Sequence, residues 1–250
     1  MAHLVEMRGI HKRFGGLHAL RGVDLHLDAG EVLGLVGDNA AGKSTLMKVL
    51  TGRYLADEGE LFFDNKPVDI QSPQDSRALG VEMIYQDFAL VGELDAVANI
   101  FMAKEMRLPG VLGFFGLRDE RGMRRRAGEL FDKLRLERVA LDASAVANLS
   151  GGQRQAVAIA RAVMFDPRVI IMDEPTANLD ISKVGQLLEH VRRLKELGVS
   201  VILISHRLQE VLDVGDRVMV LRRGEVAGVR EVGGTTVDEV VKLMIGAEAA

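Results

Sequence analysis

Cysteine is absent from the 250 residues. No disulfide framework, thiolate metal site or cysteine nucleophile is therefore available to this chain, and a reducing compartment is compatible with it. Long hydrophobic runs are absent too. Runs such as Val169 to Met172 and Val201 to Ile204 fall far short of the roughly 18 to 20 residues that span a bilayer, so the chain is not expected to cross a membrane alone. The first residues, Met1 to Gly9, carry Glu6 and Arg8 within a short apolar stretch and lack the uninterrupted apolar segment of a signal peptide, which points to a cytoplasmic protein. An excess of one charge is missing as well: 32 basic against 36 acidic side chains leave a net charge of -4, which does not suggest a general polyanion binder. What is present is ordinary globular material. With 48% apolar and 27% charged residues, the chain can bury a full core and is not expected to be disordered.

Two kinds of strand are legible. Val23, Leu25 and Leu27 alternate with Asp24, His26 and Asp28, the period-two pattern of an antiparallel strand buried on one face. Leu61 to Phe63 runs into the turn Asp64-Asn65-Lys66-Pro67, and Val218 to Leu221 runs into Arg223-Gly224. By contrast, Val32 to Val36, Val81 to Tyr85, Val169 to Met172 and Val201 to Ile204 are nearly all apolar, as parallel core strands covered on both faces must be. Residues 93 to 148 change character, with Pro109, Gly110, Gly113 and Gly116 followed by a basic helical stretch from Arg121 to Arg138, and read as an inserted helical subdomain. Its Arg124-Arg125-Arg126 run could contact anionic lipid or nucleic acid. Glu120, Glu129 and Asp132 flank it, which favours a solvated helix face. Leu187, Leu188, Val191, Leu194 and Leu197 form a helical stripe ended by Gly198.

The strongest chemical signal is Gly37-Asp38-Asn39-Ala40-Ala41-Gly42-Lys43-Ser44, which fits G-x-x-x-x-G-K-[ST] directly after the apolar strand Val32 to Val36. In such a loop, backbone N–H groups and the helix N-terminus surround phosphates, Lys43 reaches the β and γ phosphates, and the Ser44 hydroxyl ligates magnesium. A second acidic element, Asp173-Glu174, closes the apolar strand Val169 to Met172. There Asp173 would hold magnesium through its water shell and Glu174 would polarise the attacking water; a helix cap or surface turn is the alternative reading. Third comes Ser150-Gly151-Gly152-Gln153 after Leu149, ahead of a helix expected from Arg154 to about Met164. Unpaired N–H groups and the positive dipole end make that segment a second phosphate-binding surface, or merely an N-cap.

In this combination and order the chain resembles the ATP-binding cassette family over essentially its whole length. The resemblance implies an α/β phosphate-loop NTPase fold, a single cassette over 1–250 in which 1–92 and 149–250 form the ATP-binding core with an antiparallel β subdomain, and 93–148 a helical subdomain. ATP and Mg2+ are the implied cofactors, and Gly37 through Lys43, Ser44 and Thr45 the implied nucleotide-binding run. Phe14 sits where the family stacks an aromatic on adenine. Gln86 matches its Q-loop, with a catalytic and magnesium-facing role, Asn178-Leu179-Asp180 its D-loop, and His206 its switch histidine. Taken singly, Phe14 also fits core packing, Gln86 a polar loop and His206 an imidazole near a strand end. Gly37, Gln86, Asp173 and His206 all fall just beyond the C-terminal ends of core strands, where open α/β sheets bind ligands.

The family's mechanism implies that two subunits close head to tail, each laying its Ser150 to Gln153 segment on the γ phosphate held by the other's Lys43. A second copy or a homologue is then required. Tyr85 to Leu90 running into Leu94 to Ile100, Ser205 to Val211, and Gly37-Asp38-Asn39 look like the ATPase subunits of bacterial monosaccharide importers of the ribose, xylose and fructose type. That likeness implies a membrane permease as partner, docking near residues 87 to 101, a periplasmic sugar-binding protein acting through the permease, residence on the inner face of the membrane, and no nucleic-acid partner. Phe14-Gly15-Gly16-Leu17 also resembles branched-chain amino acid importers, and a soluble cassette ATPase acting on ribosomes or DNA is a further alternative. Two departures from the sugar-importer pattern stand out. Many members carry two cassettes in one chain, and Ala40 stands where glycine is usual, so a β-carbon there is expected to shift the loop if positive φ is needed.

Overall fold

The computed structural model describes residues 3–110, 114–141, 144–177 and 181–247. Among the described residues, ten strands form two sheets. In the smaller, β1 (Val5–Phe14) is flanked by β2 (Leu17–Leu27) and β4 (Glu58–Phe63), and β4 by β5 (Lys66–Val68), all antiparallel. The alternation of Val23, Leu25 and Leu27 is therefore the inner face of β2, and Asp64 and Asn65 take the positive φ values, 51° and 59°, that the β4–β5 turn requires.

The larger sheet has the order β10-β9-β3-β8-β7-β6. It contains β3 (Val32–Val36), β6 (Val81–Ile84), β7 (Val169–Asp173), β8 (Ser200–Ile204), β9 (Arg217–Arg222) and β10 (Glu225–Glu231), and only the β9–β10 hairpin is antiparallel. The apolar runs are apolar because both faces are covered. Leu33, Leu35, Ile171, Ile202 and Ile204 face a core shared with the small sheet and α1 (Lys43–Leu50). Their neighbours Val32, Val36, Ile170, Met172, Val201 and Leu203 face the opposite core, built by α3 (Ala96–Ile100), α4 (Glu120–Leu134), α5 (Gly151–Val163), α6 (Ile181–Glu196) and α7 (Leu208–Val214). Helix α8 (Val237–Ile245), capped by Thr236 and closed by Gly246, adds Val240 to the same core, and a short helix α2 (Pro73–Ala78), capped by Ser72, precedes β6.

Several element limits differ from expectation, β7 and β8 each being one residue longer. Helix α4 ends at Leu134, not Arg138, because Arg135 turns left-handed at φ 51° and closes the helix. β6 stops at Ile84, one residue short of Tyr85. Helix α5 begins at Gly151, three residues earlier than Arg154, because Ser150 and Gln153 form a reciprocal capping box that recruits both glycines into the first turn.

Candidate active site

The site lies at the C-terminal edge of the parallel sheet. Where β3 ends, Gly37 takes φ 147°, and a β-carbon there would stand 2.1 Å from the Leu221 carbonyl oxygen, so only glycine passes. The chain then loops through the exposed residues Asp38, Asn39 and Ala40 to Gly42 at φ 107°, which caps α1. Gly42 is confined by Leu20 Cδ2 at 2.9 Å and the Ala19 carbonyl at 3.0 Å from a would-be β-carbon. Ala40 adopts a positive φ, 65°, the left-handed region that glycine enters freely, so its β-carbon is accommodated at the expense of local strain.

Lys43 is 7% exposed and folds back over this loop, its Nζ donating to the carbonyls of Gly37 at 2.7 Å and Asp38 at 3.0 Å. Burial pushes the ammonium below the ordinary lysine range, against the carboxylates of Glu174, Asp173 and Asp38, which favour its charged form. An anion on the loop would be welcomed by a cation already desolvated and aimed.

The acidic pair comes from β7, two strands away, because β8 intervenes between β3 and β7. Asp173 is held by a hydrogen bond with Ser44, yet burial, with the neighbouring Glu174 charge, lifts its carboxyl above the usual carboxylate range. Ser44 and Asp173 together supply two oxygen donors on one side of the loop. Among the described residues no cluster of three or more side chains could hold a metal unaided. That donor set suits Mg2+, which takes one or two protein oxygens and completes its octahedron with phosphate and water.

Glu174 leaves the strand at φ 49°, a left-handed conformation unusual for glutamate, fixed by its N–H donating to the Ile204 carbonyl at 2.9 Å. This aims its carboxylate at His206, whose Nδ1 lies 3.4 Å away just beyond β8. The strained turn and the adjacent strand end thus present a carboxylate and an imidazole side by side.

A cavity of about 610 Å³ opens over the loop, lined by Phe14, Asn39, Ala40, Ala41, Gly42, Lys43, Ser44, Thr45 and Glu174 from the expected set, and also by Leu17, His18, Ala19, Arg21 and Arg223. Phe14 is 40% exposed and braced edge-on by Tyr54, ring centroids 5.1 Å apart, leaving part of its ring available. Gln86 is exposed on the segment after β6 and does not line the cavity. Ser150, Gly151, Gly152 and Gln153 also stand apart from it, at the N-terminus of α5. Asp180 lies outside the described residues. His18, Arg21 and Arg223 escaped sequence reasoning; the Arg223-Gly224 turn read only as a turn, although Gly224 exchanges backbone hydrogen bonds with Ala41 and Arg21 at the loop. A second cavity, about 540 Å³ between the end of α4 and α6, contains none of the motif residues.

Fold and site together define a phosphate-loop nucleotide-binding protein. The sequence profile of the ABC transporter family matches residues 20–177, and the chain belongs to that family. It is 42% identical over 244 residues to the xylose/arabinose import ATP-binding protein XylG of Sulfolobus acidocaldarius, covering 98% of this chain and 94% of that one. It is 47% identical over 247 residues to the ribose import ATP-binding protein RbsA 1 of Rubrobacter xylanophilus, covering 98% of this chain but only 48% of that one. The chain therefore spans about half the length of this ribose-import relative. Among solved structures, an ATP-binding cassette of an ABC transporter in its ADP conformation is similar at a TM-score of 0.81 and 30% identity, over 98% of this chain and 100% of that one.

Proposed function

We propose that this chain is the ATP-hydrolysing subunit of a sugar importer, binding ATP and Mg2+ and driving a membrane permease by closure of a cassette dimer. The observation that carries the transport reading is end-to-end similarity to a sugar-import ATP-binding protein, 94% of whose length the chain covers. The chemistry rests on the cavity. Lys43 and the N–H groups of residues 37–45 take the phosphates, and the Phe14 ring offers a face to adenine. Bound at Ser44 and Asp173, with Gln86 approaching on closure, Mg2+ would neutralise phosphate charge. Glu174 accepts a proton from the water that attacks the γ phosphorus as the bond to the ADP oxygen breaks, and His206 contacts the γ phosphate.

The Ser150 to Gln153 segment, which does not line its own cavity, is suited to a γ phosphate held by another subunit. One chain then supplies two half-sites, and a second copy completes them. Residues 93–148 serve as a helical subdomain, the segment 87–101 receives the permease, and residues 1–92 and 149–250 serve as the ATP-binding core with its β subdomain. No helix among the described residues is long and apolar enough to cross a membrane, which is compatible with peripheral attachment at the cytoplasmic face through that permease. A periplasmic sugar-binding protein would deliver the substrate.

Affinity purification of the tagged chain from native membranes with ATP, followed by mass spectrometry, tests the assignment. A polytopic permease and a sugar-binding protein are expected among the recovered proteins. Recovery of ribosomal or DNA-repair components with no membrane partner would overturn the transport reading and leave the ATPase chemistry standing.

A further inference from the structure

Beneath the Glu174–His206 pair lies a buried carboxylate with no role so far. Glu210, in α7, is 7% exposed, and a charge taken out of water is costly unless every lone pair finds a donor. Here the donors come from two strand exits. Oε2 accepts from the Thr176 hydroxyl at 2.8 Å and from the Ser205 hydroxyl at 3.2 Å, while Oε1 accepts from the Arg207 guanidinium at 3.2 Å. Ser205 Oγ in turn accepts the Arg207 backbone N–H at 3.0 Å. Thr176 and Ser205 are each only 1% exposed.

The placement of these donors is informative. Thr176 lies two residues beyond Glu174 on the turn leaving β7, and Ser205 immediately precedes His206 on the exit of β8. One carboxylate oxygen therefore ties together the two backbone segments that carry the reacting pair. His206 needs such support, because its side chain is 52% exposed and stands 3.4 Å from Glu174. A hydrophobic residue at 210 would fill the space at lower desolvation cost, but could not fix one strand exit against the other.

We infer that Glu210 is a positioning residue for ATP hydrolysis, holding Glu174 and His206 in register through Thr176 and Ser205. The inference rests on the reading of Glu174 and His206 as the hydrolytic pair, and it assigns Glu210 no contact with nucleotide. Displacing a reacting group by about 1 Å can lower rate by up to about a hundredfold, so modest loosening should be visible in kcat.

The test is a double-mutant cycle on the full chain. Glu210→Gln keeps the volume but loses the charge and part of the accepting capacity; it should lower kcat by about tenfold while KM for ATP stays within about twofold. In a His206→Ala background the same change should cost less than about twofold, because the pair it positions is already broken. Thr176→Val should repeat the effect and Thr176→Ser should restore kcat, which keeps the test valid if Glu210→Gln melts early. Unchanged kcat in both Glu210→Gln and Thr176→Val, a loss confined to KM, or a full additive loss in the His206→Ala background would each overturn the inference. Undiminished hydrolysis by both Glu174→Gln and His206→Ala would instead overturn the hydrolytic reading itself.

Discussion

Asp173 shows how the site stores unfavourable charge at the carboxylate proposed to face Mg2+. Its carboxyl is held above the ordinary range by burial and by Glu174, so the nucleotide-free fold is less stable with Asp173 ionised than with it protonated. A carboxyl whose folded pKa lies above its unfolded value contributes stability that is fully present below the unfolded pKa and lost as pH rises through the folded one. Asp173→Asn should therefore raise the melting temperature of the nucleotide-free protein at pH 7, with the advantage shrinking as pH falls toward 4. Parallel melting curves for the two proteins across that range would contradict the burial argument. The same variant should lose Mg2+-dependent stabilisation by ATP. Much of this residue-level site was legible in sequence, because Gly37 to Ser44 and Asp173-Glu174 are contiguous motifs attached to apolar strands. Glu210 was not, since its partner Thr176 is 34 residues away and no local pattern joins them.

Helix α5 shows a local rule acting at the scale of an element. Ser150 accepts the Gln153 N–H at 3.2 Å, and Gln153 accepts the Ser150 N–H at 3.0 Å, satisfying two donors that would otherwise be unpaired. Glycine pairs disfavour helix, yet here the capping box draws Gly151 and Gly152 into the first turn, ahead of the start expected at Arg154. The same geometry leaves Gly152 beside Glu137, whose Oε2 would stand 2.3 Å from an added β-carbon and is anchored by Lys183 at 2.8 Å. Ser150→Ala should destabilise the nucleotide-free chain by about 1 kcal/mol, read by denaturant unfolding. No change in the midpoint would show that the cap is not needed to hold this helix start. Other elements were less legible for the opposite reason: β1 mixes Arg8, Gly9, His11 and Lys12 among apolar residues and bends through register shifts, so it has no clean period.

For the whole molecule, the long-range order is what makes a site from scattered motifs. Apolar runs announced a parallel core, but the order β10-β9-β3-β8-β7-β6 is a matter of pairing between distant segments that no local pattern encodes. That order places the ends of β3, β8 and β7 side by side, bringing the loop around Lys43, His206 and the Asp173-Glu174 turn together. The helix start at Ser150 to Gln153 is left apart from this cavity. Under the proposed function, a second subunit joins these two places into one site.

Sedimentation velocity of Glu174→Gln with and without Mg2+ and ATP tests that claim most directly, since loss of the base should leave binding intact and trap the closed state. A monomer without nucleotide and a dimer at saturating ATP are expected, with ATP recovered unhydrolysed. A variant that binds ATP yet remains monomeric at saturation, or that hydrolyses ATP at the wild-type rate, would contradict the claim.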